Sequence, residues 1–183
     1  MALNVRDQWY PDAFQRGCRT MSHRATQHST IVVMRTYEAP VARVFAAIAD
    51  PDQRLRLYSG GELTIRPEEA DLSMGGHDVF KFGRGDNLRF RRESIYHDIV
   101  PERRIVSTEI VCAGDVRLWV AATTLEFTPL GERTQLKVTA QIVRLEDADT
   151  IDGSAPRYEA LLDHLELHLR GNLRFRPRPV TSG

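Results

Sequence analysis

The stretch TYEAPVARVFAAIADPDQ, residues 36–53, joins the end of a strand to a short helix. Pro40 forces the residue before it into an extended conformation and suits the first turn of a helix. A second short helical turn is predicted at residues 54–57, after Asp50 and Pro51 end the first helix. The apolar residues of the first helix recur at i, i+3, i+4 and i+7, which predicts one narrow buried face: Val41, Val44, Phe45 and Ile48.

Seven segments of the sequence have the composition of strands. The first, residues 29–38, precedes the stretch quoted above. The connections between the later segments are short enough for hairpins, so successive strands should pair antiparallel. A long helix is predicted at 155–170, because Tyr158 and several leucines fall on one side of it. The six later strands are predicted at 62–72, 77–83, 88–100, 103–112, 116–128 and 133–145.

The chain divides into one domain and two ends. Its 183 residues can form a single core that buries roughly 70% of the unfolded surface. We predict an α+β domain at residues 29–170. Residues 1–28 show no sustained period and are predicted to be a flexible N-terminal extension, whereas residues 171–183 form a basic tail that contains proline.

Composition and charge restrict the classes of partner. Lys+Arg and Asp+Glu number 25 each, so the chain has no net positive charge that would favour binding to nucleic acid. No run approaches the ~18 apolar residues of a membrane span, and no apolar centre of a secretion signal is present. Cys18 and Cys112 lack metal-binding spacing and fit the reduced thiols of the cytosol. We therefore predict a soluble cytoplasmic protein with no cofactor or metal.

The order of these elements resembles the helix-grip fold of the START-like, birch-pollen-allergen-like (SRPBCC) superfamily. That resemblance implies a seven-stranded curved antiparallel sheet wrapped around the C-terminal helix, with two short helices between strands 1 and 2. Over about residues 29–170, local segments also resemble the bacterial branch related to the heat-shock protein 90 ATPase activator. In chain order these segments are RTYEAPVARVFAAIADPDQ, Gly75-Gly76 after Asp71-Leu72, YHDIVPERRIVSTE, TTLEFTPLGERTQL and DG…LLDHL.

Strand alternation predicts a chamber between the sheet and the last helix. One face of the sixth strand, from Trp119 to Phe127, and one face of the seventh, from Leu136 to Ile142, should point inward. The same alternation is equally typical of a filled core, and the family resemblance favours a cavity. The predicted ligand-binding residues are Tyr58, Phe80, Phe82, Phe90, Tyr96, Glu109, Trp119, Leu125, Phe127, Tyr158, Leu162 and Leu165.

Polar residues in this region have two interpretations each. Glu109 is either a buried carboxylate, whose pKa should rise unless it is paired, or a solvent-facing glutamate paired with an arginine of a neighbouring strand. We favour the second, with Arg89, Arg91 or Arg117 as the partner. His164 and His168 have the spacing of helical metal ligands, but no HExxH motif accompanies them, so we interpret them as polar flank residues.

Three functions remain. We favour a non-catalytic protein that binds, carries or senses a small hydrophobic or amphipathic molecule. The second is an enzyme of the cyclase, dehydratase or hydrolase kind that uses the same pocket, although no catalytic residue is assigned. The third, implied by the resemblance, is a chaperone partner that stimulates the heat-shock protein 90 ATPase in a stress response. An unpaired edge strand would allow a homodimer, whereas arginine-rich edges oppose one, and both alternatives stay open.

Overall fold

The computed structural model describes residues 26–58, 63–145 and 155–171, with the backbone alone described at residues 155 and 156. Within these ranges the chain forms seven strands and three helices. In order they are β1 (Gln27–Tyr37), α1 (Val41–Ala49), α2 (Pro51–Tyr58), β2 (Leu63–Ala70), β3 (His77–Arg84), β4 (Asn87–Val100), β5 (Arg104–Ala113), β6 (Val116–Leu130), β7 (Arg133–Arg144) and α3 (Ala155–Leu169).

The seven strands form one antiparallel sheet in the order β1-β7-β6-β5-β4-β3-β2. Strands β2 to β7 therefore form a meander. β1 is the edge strand next to β7, and the two pair from Gln27↔Arg144 to Tyr37↔Thr134. With two short helices between β1 and β2 and a final helix after β7, the predicted α+β helix-grip fold is confirmed. β1 begins at Gln27 rather than at the predicted residue 29.

Tight turns explain why the meander forms. The β3–β4 and β5–β6 hairpins each turn on a glycine with positive φ, 59° at Gly85 and 57° at Gly114. An L residue with a Cβ atom is strained in that conformation, so glycine allows a two-residue connection there. The glycine-rich segment around Gly85 is thus a hairpin turn, as the sequence indicates.

The core lies between the concave face of the sheet and the helices. α1 contributes Val44, Ala47 and Ile48, all buried. Alternation along the sixth and seventh strands is confirmed, because Trp119, Ala121, Thr123 and Phe127 are buried on β6, as are Leu136, Val138, Ala140 and Ile142 on β7. Leu125 is half-buried.

Three hydrogen bonds connect α3 to the sheet, α1 to α3, and the segment before α1 to the sheet. The Tyr37 hydroxyl on β1 donates to the Leu162 carbonyl of α3 over 3.1 Å. Arg43 of α1 donates to the Leu169 carbonyl over 2.6 Å, and Thr134 of β7 donates to the Ala39 carbonyl over 2.8 Å. These contacts fix α3 along the β1 side of the sheet, and the other side of the concave face stays open near β2, β3 and β4.

Two sequence expectations concern other parts of the chain. Cys112 on β5 is disulfide-bonded, so the expectation of reduced cysteines is wrong at this residue. Cys18 and the rest of residues 1–25, and residues 172–183 of the predicted tail, lie outside the described residues. In the described part of the chain, no helix combines the length and the apolar character needed to cross a membrane.

Candidate functional site

A cleft of about 780 Å³ opens between β2, β3 and β4 on one side and α2 and α3 on the other. That volume lies within the range of pockets that hold small molecules. One wall is a row of four aromatic rings with centroids 5.8 Å apart for Tyr58 and Phe80, 6.2 Å for Phe80 and Phe82, and 5.4 Å for Phe82 and Phe90. Strand pairing produces this row, because Phe82 lies opposite Phe90 in the register of β3 and β4.

The rest of the cleft has apolar side walls, and its charged residues are basic. Apolar sides come from Leu57, Leu63, Ile65, Trp119, Ala160 and Leu161. Among the described residues that line the cleft, the charged side chains are arginines and none carries a carboxylate; the arginines are Arg84, Arg89, Arg92 and Arg157. An apolar surface that carries only positive charge suits an apolar ligand or one with an acidic group.

Beneath the cleft lies a smaller inner cavity of about 50 Å³. Four residues line both spaces: Tyr58, Arg92, Arg157 and Leu161. Polar side chains that do not line the cleft also reach the inner cavity: Ser107, Glu109 and Thr123 of the sheet, and Tyr96 and Tyr158. The aromatic row therefore lies in the outer cleft, and the buried carboxylate and hydroxyl groups lie at its inner end.

Glu109 is the acidic residue of this inner end, and it lies between two arginines. Its Oε2 is 2.7 Å from Nε of Arg92 on β4, and Nη2 of Arg157 on α3 donates to both carboxylate oxygens over 2.9 and 3.1 Å. Glu109 is 4% exposed. The solvent-facing interpretation favoured from the sequence is wrong, because β5 turns Ile105, Ser107, Glu109 and Val111 inward.

The two arginines determine the charge state of Glu109. Burial by itself raises the pKa of a carboxyl group, but the guanidinium groups of Arg157 and Arg92 outweigh it and hold the pKa of Glu109 below its usual value. Burial likewise acts to lower the pKa of Arg92, and the charge of Glu109 outweighs it and raises that pKa. All three groups are therefore ionised at neutral pH, and together they carry one net positive charge.

Aromatic faces support both guanidinium groups. The Arg92 guanidinium lies 4.9 Å from the ring centroid of Tyr58 and 5.1 Å from that of Phe80. The Arg157 guanidinium lies 5.8 Å from the Trp119 ring and 5.3 Å from the Tyr158 ring. Stacking on aromatic faces is favourable for a weakly hydrated cation such as guanidinium. The arginines are thus part of the cleft wall and keep their charge.

Three polar atoms around this centre are buried without a hydrogen-bond partner: Nε1 of Trp119, Oγ1 of Thr123 and Oη of Tyr158. Tyr158 and Thr123 line the inner cavity, and Trp119 lines the cleft. Each of these groups can donate a hydrogen bond. Because an unsatisfied buried polar group costs free energy, their presence beside a cavity indicates a place for an acceptor.

A second buried network of hydrogen bonds holds α2 against the sheet next to the site. Arg54 of α2 contacts Asp78 of β3 through two hydrogen bonds, and the Tyr96 hydroxyl donates to Oδ2 of Asp78 over 2.7 Å. Arg54 also donates to the carbonyls of Ile48 and Ala49, at the end of α1. This network fixes α2, and with it Tyr58, against the sheet.

The predicted site residues separate into three groups. Tyr58, Phe80, Phe82, Phe90 and Trp119 line the cleft, and Tyr96, Glu109, Leu125 and Tyr158, together with Tyr58, line the inner cavity. Phe127, Leu162 and Leu165 line neither space and are buried in the core. The ring of Phe127 packs edge-on against Phe45 of α1 at 5.3 Å, because α1 covers the sheet at this position.

Two histidines of α3 make contacts between helices, and one of them, His164, also lines the cleft. Nδ1 of His164 donates to the Leu57 carbonyl over 2.8 Å, and His168 contacts Gln53 over 2.8 Å, so both connect α3 to α2. His97 is exposed and contacts Thr108 on β5. Among residues 26–58, 63–145 and 155–171, no three histidine, cysteine or acidic side chains are grouped so as to hold a metal ion.

Sequence reasoning missed the arginines of the site. A signal for Arg92 was present, because it alternates with Phe90 and Tyr96, which were both expected to face inward. The signal for Arg157 is weaker. This residue lies beside the apolar stripe of α3, on a helix face that lines the cleft with Arg157, Ala160, Leu161 and His164. Arg54 and Asp78 gave no signal, because their pairing depends on how α2 packs on β3.

The family comparison agrees with this architecture. One protein-family model matches residues 38–170, which is most of the chain. The family is described as "Activator of Hsp90 ATPase homolog 1-like protein". The chain belongs to this family. The predicted relationship to the SRPBCC superfamily is thereby confirmed, and members of the family share the helix-grip fold described above.

Solved structures of relatives have the same fold. A protein of Rhizobium loti is 31% identical, with a TM-score of 0.65 and coverage of 78% of this chain and 98% of the relative. An uncharacterized protein of Rhizobium leguminosarum is 29% identical, with a TM-score of 0.69 and coverage of 80% and 97%. A protein of Chromobacterium violaceum, 20% identical with a TM-score of 0.61 and coverage of 76% and 96%, shows the fold alone. No curated protein matches the chain.

Proposed function

We propose that this protein binds a small hydrophobic or amphipathic molecule in the cleft and acts as a carrier or sensor. The observation that carries the proposal is the row of four aromatic rings along a cleft of about 780 Å³. A filled core would leave no such space, and aromatic side chains along the wall of a cleft of this size are typical of a pocket for an apolar ligand.

The expected strength of binding follows from apolar burial. Each methylene group removed from water contributes about 0.8 kcal/mol, so a chain of about ten carbons gains roughly 8 kcal/mol before the cost of association. A gain of that size corresponds to a dissociation constant of about 1 μM, and the cost of association weakens it. We therefore expect micromolar or weaker binding of simple apolar molecules and tighter binding of the natural ligand.

Binding is favoured over catalysis by the state of the buried carboxylate. Glu109 is engaged by two guanidinium groups, and the pKa of Glu109 lies below its usual value. A general acid or base works best with a pKa near the operating pH, and this shift moves Glu109 away from it. The enzyme alternative would need another group to move protons in the same pocket.

The chaperone alternative comes from the description of the family. The contacts described above explain a cleft and do not require a protein partner. We expect that micromolar amounts of this protein leave the ATPase rate of the Hsp90 from the same cell unchanged. A reproducible increase in that rate would establish the chaperone role instead.

A pair of substitutions on α3 tests the proposed function. Ala160 is exposed and lines the cleft, whereas its neighbour Glu159 is exposed and does not. A tryptophan at position 160 should occupy the cleft with little effect on the core. We expect wild type and Glu159→Trp to bind the neutral fluorescent probe N-phenylnaphthylamine, and Ala160→Trp to lose this binding.

The outcomes of that experiment are distinct. Circular dichroism and thermal unfolding of both variants establish that the fold is retained. Equal probe binding by Ala160→Trp and Glu159→Trp would place the probe outside the cleft and overturn the proposal. Absence of probe binding by the wild type, together with no change in melting temperature for a panel of apolar molecules, would also overturn it.

A further inference from the structure

Among the described residues, the side chains at the inner end of the cleft carry one more positive charge than negative charge. Arg92 and Arg157 face one carboxylate, that of Glu109, in the region that lines both the cleft and the inner cavity. Arg54 also reaches the inner cavity, but Asp78 balances its charge at 2.9 Å. No other carboxylate belongs to the described lining of either space. One positive charge therefore remains next to the apolar cleft.

Unpartnered hydrogen-bond donors lie at the same end. Trp119 is 2% exposed, Tyr158 4% and Thr123 8%, and the polar atom of each lacks a partner. The Trp119 and Tyr158 rings both lie within 6 Å of the Arg157 guanidinium, at 5.8 and 5.3 Å. The indole N–H can only donate, and it lies near the Glu109 carboxylate without forming a well-aligned hydrogen bond; the hydroxyl groups of Tyr158 and Thr123 lie near each other in the same way. The group that would satisfy this set is an acceptor.

We infer that the ligand of the cleft is a hydrophobic carboxylic acid, with its carboxylate at Arg157, Trp119 and Tyr158 and its apolar part along the aromatic row. This inference rests on the proposed function and names the class of ligand. A carboxylate accepts hydrogen bonds only, matches the planar guanidinium and carries the single negative charge that the centre lacks. The inner cavity of about 50 Å³ offers room for a group of a few atoms rather than for a second ring.

Other head groups fit this end less well. An ammonium group would meet a net positive charge and three donors, so both charge and hydrogen bonding oppose it. A neutral hydroxyl group could accept a hydrogen bond but would leave the positive charge in place. A phosphate monoester carries more negative charge than the centre can neutralise. The order of affinity for one apolar chain should therefore be carboxylate, then alcohol, then ammonium.

Matched ten-carbon probes test the inference: decanoate, decanol, decylammonium and decyl phosphate. Displacement of N-phenylnaphthylamine at neutral pH gives the affinity of each probe for the full chain. We expect wild type to bind decanoate about tenfold or more tightly than decanol, since a charge-assisted hydrogen bond contributes about that much. Decylammonium should bind more weakly than decanol, and decyl phosphate no better than decanoate.

Variants assign the preference to the inner end. Arg157→Gln should remove the preference for decanoate and change decanol binding much less, whereas Arg170→Gln, at the exposed residue that follows the same helix, should behave as wild type. Trp119→Phe keeps an aromatic ring and removes the N–H donor, and we expect it to weaken decanoate binding by about threefold to tenfold and decanol binding by less, because a carboxylate forms the stronger, charge-assisted hydrogen bond. This second variant keeps the test decisive if Arg157→Gln does not fold.

Each outcome separates the two proposals. Equal affinity for decanoate and decanol, tighter binding of decylammonium, or tighter binding of decyl phosphate would overturn the carboxylate assignment and leave the proposed function standing. A preference for decanoate that persists in both Arg157→Gln and Trp119→Phe would overturn the placement of the carboxylate. Failure of all four probes and of the fluorescent probe would overturn the proposed function itself.

Discussion

Arg54 on α2 and Asp78 on β3 form a buried, two-point ion pair: Nε of Arg54 lies 3.0 Å from Oδ2 of Asp78, and Nη2 lies 2.9 Å from Oδ1. The exposed fraction is 3% for Arg54 and 4% for Asp78. The helix that ends in Tyr58 is thus attached to the strand that carries Phe80, and the aromatic row of the cleft depends on this attachment.

Removing the charge of Asp78 should destabilise the fold. Asp78→Asn leaves the Arg54 guanidinium buried without a counter-charge, which typically costs about 3–5 kcal/mol. The free energy of unfolding in urea measures this effect. Glu126→Gln is the control, because it breaks the exposed ion pair of Glu126 and Lys137 and should change stability by about 1 kcal/mol or less. Similar losses of unfolding free energy in both variants would show that the buried Arg54–Asp78 pair stabilises the fold no more than an exposed ion pair does.

The buried position of Glu109 predicts a dependence of stability on pH. Burial acts to raise the pKa of Glu109, but Arg157 and Arg92 outweigh it, so the pKa in the folded protein lies below the ordinary 4.5. The stability that this ionised group contributes is fully present above the unfolded pKa and is lost as the pH falls through the folded pKa. We expect the difference in unfolding free energy between wild type and Glu109→Gln to be largest near neutral pH and to narrow below about pH 4.

Glu68 provides the comparison for that measurement. Hydrogen bonds from Lys81 and Arg91 also lower the pKa of Glu68, but all three side chains are substantially exposed. Solvent screening should make the effect of Glu68→Gln much smaller at every pH. A gap between wild type and Glu109→Gln that stays constant across the acid range would contradict the assignment of an ionised, doubly paired Glu109.

Most of the fold followed from local features of the sequence. Apolar spacing around Pro40, period-two strands and short turns each depend on a few neighbouring residues, and the family resemblance ordered them. The start of β1 was missed because Gln27 and His28 are polar. Their pairing with Arg144 and Val143 of β7 extends the strand, and this pairing cannot be deduced from their own composition.

The site was predicted in part, and its electrostatics were not. The aromatic row could be predicted from strand alternation. Alternation does not distinguish a cavity wall from a filled core, however. Phe127 belongs to the filled core because Phe45 of α1 packs against its ring. The favoured interpretation of Glu109 failed because it assumed an arginine of a neighbouring strand on the solvent face. One actual partner, Arg157, stands 48 positions along the chain on α3. Packing between distant elements creates that pair.

Two tyrosines should respond in opposite ways to loss of the hydroxyl group. Tyr37→Phe removes the buried hydrogen bond to the Leu162 carbonyl, and we expect a loss of about 1 kcal/mol. Tyr158→Phe removes a buried hydroxyl whose nearest polar neighbour, the Thr123 hydroxyl, does not form a well-aligned hydrogen bond with it, so the unfolding free energy of this variant should equal or exceed that of wild type. Chemical denaturation of both variants without ligand gives the comparison. A clear loss of stability in Tyr158→Phe would mean that its hydroxyl is satisfied in the free protein.

Gly83 affects both the stability of the β3–β4 hairpin and the shape of the cleft. A Cβ atom at this position would lie 1.8 Å from the backbone oxygen of Asn87, and a backbone atom cannot move away as a side chain can. Gly83 and Asn87 both line the cleft, and the register of β3 and β4 shifts between Phe82 and Arg84.

Gly83→Ala should therefore force the two strands apart next to the aromatic row. We expect a loss of about 2–3 kcal/mol in unfolding free energy and a weaker affinity for N-phenylnaphthylamine. Gly85→Ala, two positions further at the turn, meets no atom within 4 Å and is strained only by its φ of 59°. It should lose about 1 kcal/mol and keep the probe affinity of wild type, because the strain stays outside the cleft. Equal effects of the two substitutions on probe binding would show that the Gly83–Asn87 contact does not shape the site.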